Sequence, residues 1–231
     1  LISYIYIVVW HRKFDMQNNI LLKNYIKLYL TERLKINREF PIDEVVKIIK
    51  RIFYTYKNDG YLYVAGNGGG TSAAEGFAVD IRTHPFVSEN KKKTTNQRRL
   101  KVYCCTESSG LLTGISNDLG NDLVFSEQLK NFMRSKRINS KDTLILFSGS
   151  GNSKNMLEVI NYVKKFSVYT CCISGRGGGK AKEVSDLSII IPGKSKFPGQ
   201  TNSNDNNFHI EDCQVSISHM ITGLFKNYLK N

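Results

Sequence analysis

Apolar positions along the chain follow two alternating rhythms. Continuous apolar runs mark buried strands at Tyr61–Ala65, Leu100–Cys105, Leu144–Phe147, Val168–Ile173 and Leu187–Ile191. Around them the spacing stretches to the helical period. Ile20, Leu21, Tyr25, Leu28 and Leu34 fall near one face of a helix over Asn19–Leu34. A second helix starts at Pro41, a favourable first-turn residue, with Ile42, Val45, Val46, Ile49 and Phe53 as its stripe. After the first strand, Ala73, Ala74, Phe77, Ala78 and Ile81 share an inward face. Val124–Met133 reads as a helix, Met156, Leu157, Ile160 and Val163 mark another, and a short one runs to Val184. On the last helix, Ile210–Leu229, the stripe is Ile210, Cys213, Ile217, Met220, Ile221 and Leu224. Ser88–Arg99, Thr106–Asp122 and Phe197–Asn207 read as polar loops.

Strands alternating with helices predict an α/β fold. The expected architecture is a doubly wound, mostly parallel five-stranded sheet with helices on both faces, preceded by a helical hairpin. Ligands in such sheets bind beyond the carboxyl ends of the strands. Gly-rich loops follow the strands there, at Gly66–Ser72, Ser148–Ser153 and Gly175–Gly179.

Composition narrows the class without naming a chemistry. A hydrophobic share of 41% and a charged share of 23% are ordinary for a globular protein. The net charge of +13 comes from Lys spread along the whole chain, so it reads as a compositional bias, and nucleic acid is not expected as a partner. The basic run Lys91-Lys92-Lys93 reads as a solvated loop. None of the five Cys has zinc-site spacing, and they read as reduced core residues of a cytoplasmic protein. Leu1–Trp10 is apolar but too short to span a bilayer and lacks the basic start of a signal peptide. Residues 1–15 are expected to be an extension ahead of a native start at Met16. The rest, 16–231, is expected to be one domain, with the helical pair in 16–58 and the α/β core with its C-terminal helix in 61–231.

The most informative stretch is Leu144 to Ser153. An apolar strand runs into Ser148-Gly149-Ser150-Gly151-Asn152-Ser153 and then into a helix. Such a loop aims backbone N–H groups and hydroxyls at one point ahead of a helix N-terminus, which suits a phosphate. It is not a P-loop, since no Gly-Lys-Ser/Thr follows, and the third Gly of the dinucleotide fingerprint is missing.

Taken together, Gly66-Asn67-Gly68-Gly69, Asn117-Asp118, the serine loop and Ser174-Gly175 with its following Gly run resemble the sugar isomerase (SIS) domain, and within it the phosphoheptose isomerases. The resemblance covers roughly Asn18 to the C-terminus. It implies an aldose–ketose isomerase converting sedoheptulose 7-phosphate to D-glycero-D-manno-heptose 7-phosphate for surface-polysaccharide synthesis. It also implies a homotetramer with active sites between subunits, and no membrane partner. By resemblance Ser148, Gly149, Ser150 and Ser153 bind the phosphate, while Asn67, Gly68, Gly69, Thr71, Asn117, Asp118 and Glu211 bind substrate. The family's turn continues with Ser where this chain has Gly70, so Thr71 stands as the nearby hydroxyl.

The acid–base residues implied by the resemblance fall on Asp80, where the family has Glu, and on His219. The family's zinc ligands fall on Gly76, Asp80, Glu211 and His219, which alters the set. A zinc site from Asp80, Glu211 and His219 stays open. Helical spacing alone favours Asp212 over Glu211 as the partner of His219. The alternative from another class is a non-catalytic SIS protein, either a sugar-phosphate sensor or a regulator associating with a DNA-replication initiator.

Overall fold

Five parallel strands carry the fold in the computed structural model, which describes residues 19–200, 202 and 205–230. Met16 and the extension expected over 1–15 lie outside the described residues. The strands are β1 (Tyr61–Gly66), β2 (Lys101–Cys104), β3 (Thr143–Phe147), β4 (Tyr169–Ser174) and β5 (Leu187–Ile190), in the spatial order β2-β1-β3-β4-β5. Tyr63 pairs with Tyr103 on one side and Leu144 on the other, and Leu144 in turn pairs with Thr170. The chain leaves β1 in one direction for β2 and returns past it for β3. The strand order therefore reverses between β1 and β3, where a sheet of this kind opens a crevice.

The helices are α1 (Asn19–Arg38), α2 (Ile42–Lys57), α3 (Gly69–Thr83), α4 (Ser109–Leu119), α5 (Ser126–Leu129), α6 (Lys136–Asn139), α7 (Lys154–Lys164), α8 (Ala181–Val184) and α9 (Asn207–Tyr228). Side chains alternate along each strand, so the sheet feeds two cores. Leu62, Val64, Ile145, Phe147, Cys171 and Ile173 meet residues of α1, α2, α3 and α9. Tyr63, Ala65, Leu144, Leu146 and Cys172 meet Val124, Phe125, Leu129 and the α7 stripe of Met156, Val159, Ile160 and Val163. This is the layered, doubly wound arrangement that the alternating pattern predicts. All five Cys are free and buried, and burial pushes the thiols of Cys104, Cys105, Cys171, Cys172 and Cys213 above the ordinary range.

Three stretches depart from the sequence reading. Thr106–Asp122, expected as a loop, holds α4, started by the Ser108 hydroxyl accepting from Leu111 N–H and ended by Gly120 at φ 96°. No residue of α4 is buried, so it carries no strong apolar stripe to read. The helix expected over Val124–Met133 shrinks to the four residues of α5. On α1 the buried positions are Glu32 and Ile36, while Ile20 and Leu34 of the expected stripe stay exposed.

α9 lies along α3. Its buried line is Ile210, Cys213, Gln214, Ile217, Ser218, Ile221, Thr222 and Phe225, and Met220 and Leu224 of the expected stripe face outward. Among the described residues no helix is long and apolar enough to cross a membrane.

Candidate active site

The glycine turn after β1 and the serine loop after β3 meet at the crevice between those strands. Gly68 takes φ 56°, a conformation that glycine adopts without Cβ strain, and α3 starts immediately after it. The side-chain amide of Asn67 pairs reciprocally with that of Asn155 on α7, at 2.8 and 3.1 Å. This pair ties the glycine turn to the helix that the serine loop opens. Beside it lies a cavity of 530 Å3 whose lining includes Asn67, Gly68, Thr71, Thr106, Asn117 and Asn155. The Thr71 hydroxyl donates to Gly66 O at 2.8 Å, keeping its lone pairs as acceptors. Asn117 donates to its neighbour Asp118 at 2.9 Å; Asp118 is exposed and does not line the cavity.

The serine loop is braced from several sides. Ser148 is buried and its Oγ accepts from Gly151 N–H at 3.0 Å, while Ser150 Oγ accepts from Asn152 N–H at 3.2 Å. Those contacts fix the loop as an arch and leave each hydroxyl proton free to be donated. Ser153 is the N-cap of α7 by position but makes no side-chain capping bond. The glycine run after β4 closes over the arch, with Ala181 N–H donating to Gly151 O at 2.9 Å and Lys180 N–H to Asn152 Oδ1 at 2.9 Å. Beneath it, Gln214 of α9 donates from Nε2 to Ile173 O at 2.8 Å and to Ser148 O at 3.2 Å.

Asp80 and His219 come together. His219 Nε2 stands 3.6 Å from Asp80 Oδ2, across the groove between α3 and α9. Their side chains are 40% and 65% exposed, and their sequence neighbours Val79 and Met220 are exposed too. Glu211 is not part of this pair. Its carboxyl lies against Gly69 and its Oε1 accepts from Asn207 Nδ2 at 2.6 Å. Asp212, the partner favoured by spacing, accepts instead from the Tyr29 hydroxyl at 2.6 Å. That hydroxyl is held in its protonated form, first by burial and then by the Asp212 carboxylate.

Helix geometry explains the separation. Glu211 and His219 are eight residues apart on one helix, which is about 12 Å along its axis. Asp80, Glu211 and His219 therefore cannot share one ion within a chain, and among the described residues no three His, Cys, Asp or Glu gather as a metal site would need. Within one chain these three do not form the expected zinc site, and no step of the chemistry is assigned to a metal. At Gly76, where the altered ligand set begins, the space beyond the Cα is open.

Sequence reasoning missed Asn155, Arg176, Asn207 and Gln214. Asn155 had a local signal, since it sits in the first turn of the helix that follows the serine loop. Arg176 had a weaker one, as the single side chain in a glycine run.

A family model for the SIS domain matches residues 28–175. A phosphoheptose isomerase of Helicobacter pylori strain P12 is 32% identical over 161 residues, which span 70% of this chain and 77% of that protein. The chain belongs to the phosphoheptose isomerase family of SIS-domain proteins. A probable phosphoheptose isomerase of Thermoplasma acidophilum matches more of its length, at 27% identity over 86% of this chain and 96% of the other. In three dimensions the fold resembles that of phosphoheptose isomerase GmhA from Neisseria gonorrhoeae. The TM-score is 0.72 at 22% identity, covering 89% of this chain and 99% of that one.

Proposed function

We propose that this SIS-domain chain is a cytoplasmic aldose–ketose isomerase. Its substrate is sedoheptulose 7-phosphate and its product D-glycero-D-manno-heptose 7-phosphate, a precursor for lipopolysaccharide or capsule. Beyond membership of the family, the observation that carries the reading is the meeting of Asp80 and His219 at 3.6 Å on neighbouring helices. Isomerisation moves a proton between adjacent carbons through an enediol. Asp80 takes the carbon-bound proton, and His219 moves protons at the carbonyl and hydroxyl oxygens. Ser148, Ser150 and Ser153, with the N–H groups around Gly149, hold the phosphate and fix the sugar's position. Asn67, Thr71, Asn117 and Glu211 offer hydrogen bonds to the sugar hydroxyls.

The site is shared between copies of the chain. Asn207, which lies against Gly149 of the serine loop, is twelve residues from His219, or about 18 Å along α9. A seven-carbon sugar phosphate is about 10 Å long from phosphorus to the first carbon, going by ordinary covalent bond lengths. Its length alone falls short of that separation within one chain. A second copy laid on the exposed α3/α9 face, over Val79, Met220 and Leu224, supplies the missing half. A homotetramer provides such pairs of faces by symmetry.

A coupled assay with sedoheptulose 7-phosphate, with and without added zinc, tests the reading, with Asp80→Asn and His219→Ala beside it. Turnover that both substitutions abolish is the expected result. No turnover in the intact oligomer overturns it, and thermal stabilisation by a sugar phosphate without turnover would make the chain a sensor.

A further inference from the structure

A second polar chain crosses the crevice, away from the Asp80–His219 pair. Arg176 follows β4, in a run where Gly175, Gly177, Gly178 and Gly179 surround it. Its backbone takes φ 50°, a region that favours glycine, yet the position carries the longest cationic side chain available. Arg176 Nη2 donates to Asn207 Oδ1 at 2.8 Å, and Asn207 Nδ2 donates to Glu211 Oε1 at 2.6 Å. The amide cannot be turned around. Reversed, it would set its NH2 against a guanidinium and its oxygen against a carboxylate.

Both ends of this chain press on glycines of the substrate loops. A Cβ at Gly149 would lie 2.5 Å from Asn207 Oδ1 and 2.6 Å from Arg176 Nη2. A Cβ at Gly69 would overlap the Glu211 carboxyl. The relay thus runs flush from the serine loop to the first turn of α3. Arg176 Nε is buried and finds no partner among the described residues, so the guanidinium has donor capacity beyond the bond it makes.

We propose that Arg176 and Asn207 are positioning residues that hold the Glu211 carboxylate over Gly69, where it meets the sugar while the serine loop holds the phosphate. The proposal rests on the reading of this crevice as the sugar-phosphate site. Arg176 fixes Asn207 by a charge-assisted hydrogen bond, and Asn207 fixes Glu211 by another. Glu211 accepts hydrogen bonds from sugar hydroxyls only in that orientation. The relay also links the two ends of the substrate, since the amide that abuts the serine loop aims the carboxylate.

The test compares kcat and KM for sedoheptulose 7-phosphate in Asn207→Ala, Asn207→Asp, Arg176→Ala and Arg176→Lys, and adds a crystal structure of Asn207→Ala. Asn207→Asp keeps the size and the acceptor for Arg176 but sets a carboxylate against Glu211. Loss of a hydrogen bond to a charged group should lower kcat/KM by about 10- to 100-fold, mostly through KM. Arg176→Lys should restore most of what Arg176→Ala loses, and Glu211 should leave Gly69 in the Asn207→Ala structure. A merely structural role would lower the melting temperature and leave KM alone. Unchanged kcat/KM in all four variants of an active enzyme, or Glu211 still seated on Gly69 without Asn207, overturns the proposal. If the unaltered protein does not turn over, the isomerase reading fails, and the relay is judged by the crystal structure alone. Should Asn207→Ala not fold, a structure of Asn207→Asp decides the same question.

Discussion

If the acid–base pair and the serine loop act together only across two copies, two inactive variants should rescue each other. One variant, His219→Ala, lacks the pair; the other, Ser150→Ala with Ser153→Ala, lacks phosphate hydroxyls. The reason is distance. The residues making these contacts, Asn207 against Gly149 and His219 against Asp80, are about 18 Å apart along the axis of α9. The length of the substrate alone does not close that gap within a chain. General acid–base catalysis contributes about 10²- to 10⁴-fold, so His219→Ala alone should fall by that range. When the two variants are mixed, unfolded and refolded together, random assembly gives about one site in four with both halves intact, because each half comes from a different subunit. The mixture should therefore recover to about a quarter of the unaltered activity, well above either parent. Native electrophoresis of charge-tagged variants would show that mixed oligomers form. Mixed oligomers with no more activity than the parents would refute the shared site and require the pair and the loop to work in one chain.

Three further outcomes follow from the packing and the polar contacts. Phe225 is fully buried on α9, with ring centroids 5.1 Å from Tyr56 and 5.9 Å from Phe53. Phe225→Ala should cost about 3–5 kcal/mol, read by urea unfolding, and a loss under 1 kcal/mol would show that the site collapses or is already loose. Asn155→Leu removes both bonds of the amide pair with Asn67; it should cost about 1–3 kcal/mol and raise KM, and an unchanged KM would detach Asn67 from substrate binding. Glu32 is buried, which pushes its carboxyl up, but Lys196 N–H, the Ser195 hydroxyl and His209 together hold it below the ordinary range. A lowered carboxyl stabilises the fold above its unfolded value and loses that contribution as pH falls through the folded one. The stability advantage over Glu32→Gln should thus shrink on acidification from neutral to about pH 3, and a melting difference constant with pH would refute the account.

How much was legible depended on whether a residue's role is local. The strands could be read because a parallel sheet buried on both faces leaves continuous apolar runs, as at Leu144–Phe147. The serine loop could be read because its chemistry lies in consecutive residues. α4 could not, because it packs no fully buried residue and is interrupted by Gly110 and Gly114. On α1 the pattern misled, since its buried polar residue is Glu32, held by partners more than 160 positions away. Arg176, Asn207 and Glu211 are separated by 31 and 4 positions, and only the approach of α9 to the ends of β3 and β4 brings them into line. Asp80 and His219 were singled out by resemblance. Their contact is a property of helix packing that spacing could not supply.

On the proposed reading of a shared site, that contact also makes the isolated chain an incomplete catalyst. In one copy the carboxylate and imidazole are 40% and 65% exposed and stand 3.6 Å apart, beyond a hydrogen bond. Water around them screens their interaction and competes for the same donors and acceptors that an enediol would use. Their sequence neighbours Val79 and Met220 are apolar and also exposed, at 54% and 42%, as is Leu224, at 50%, farther along α9. Apolar side chains around a polar pair stabilise nothing while they face solvent. Covered by a second copy, they contribute burial and at the same time take water away from the pair. If a second copy covers this surface as proposed, the burial that drives association also makes the pair effective, so assembly and activity are expected to rise and fall together.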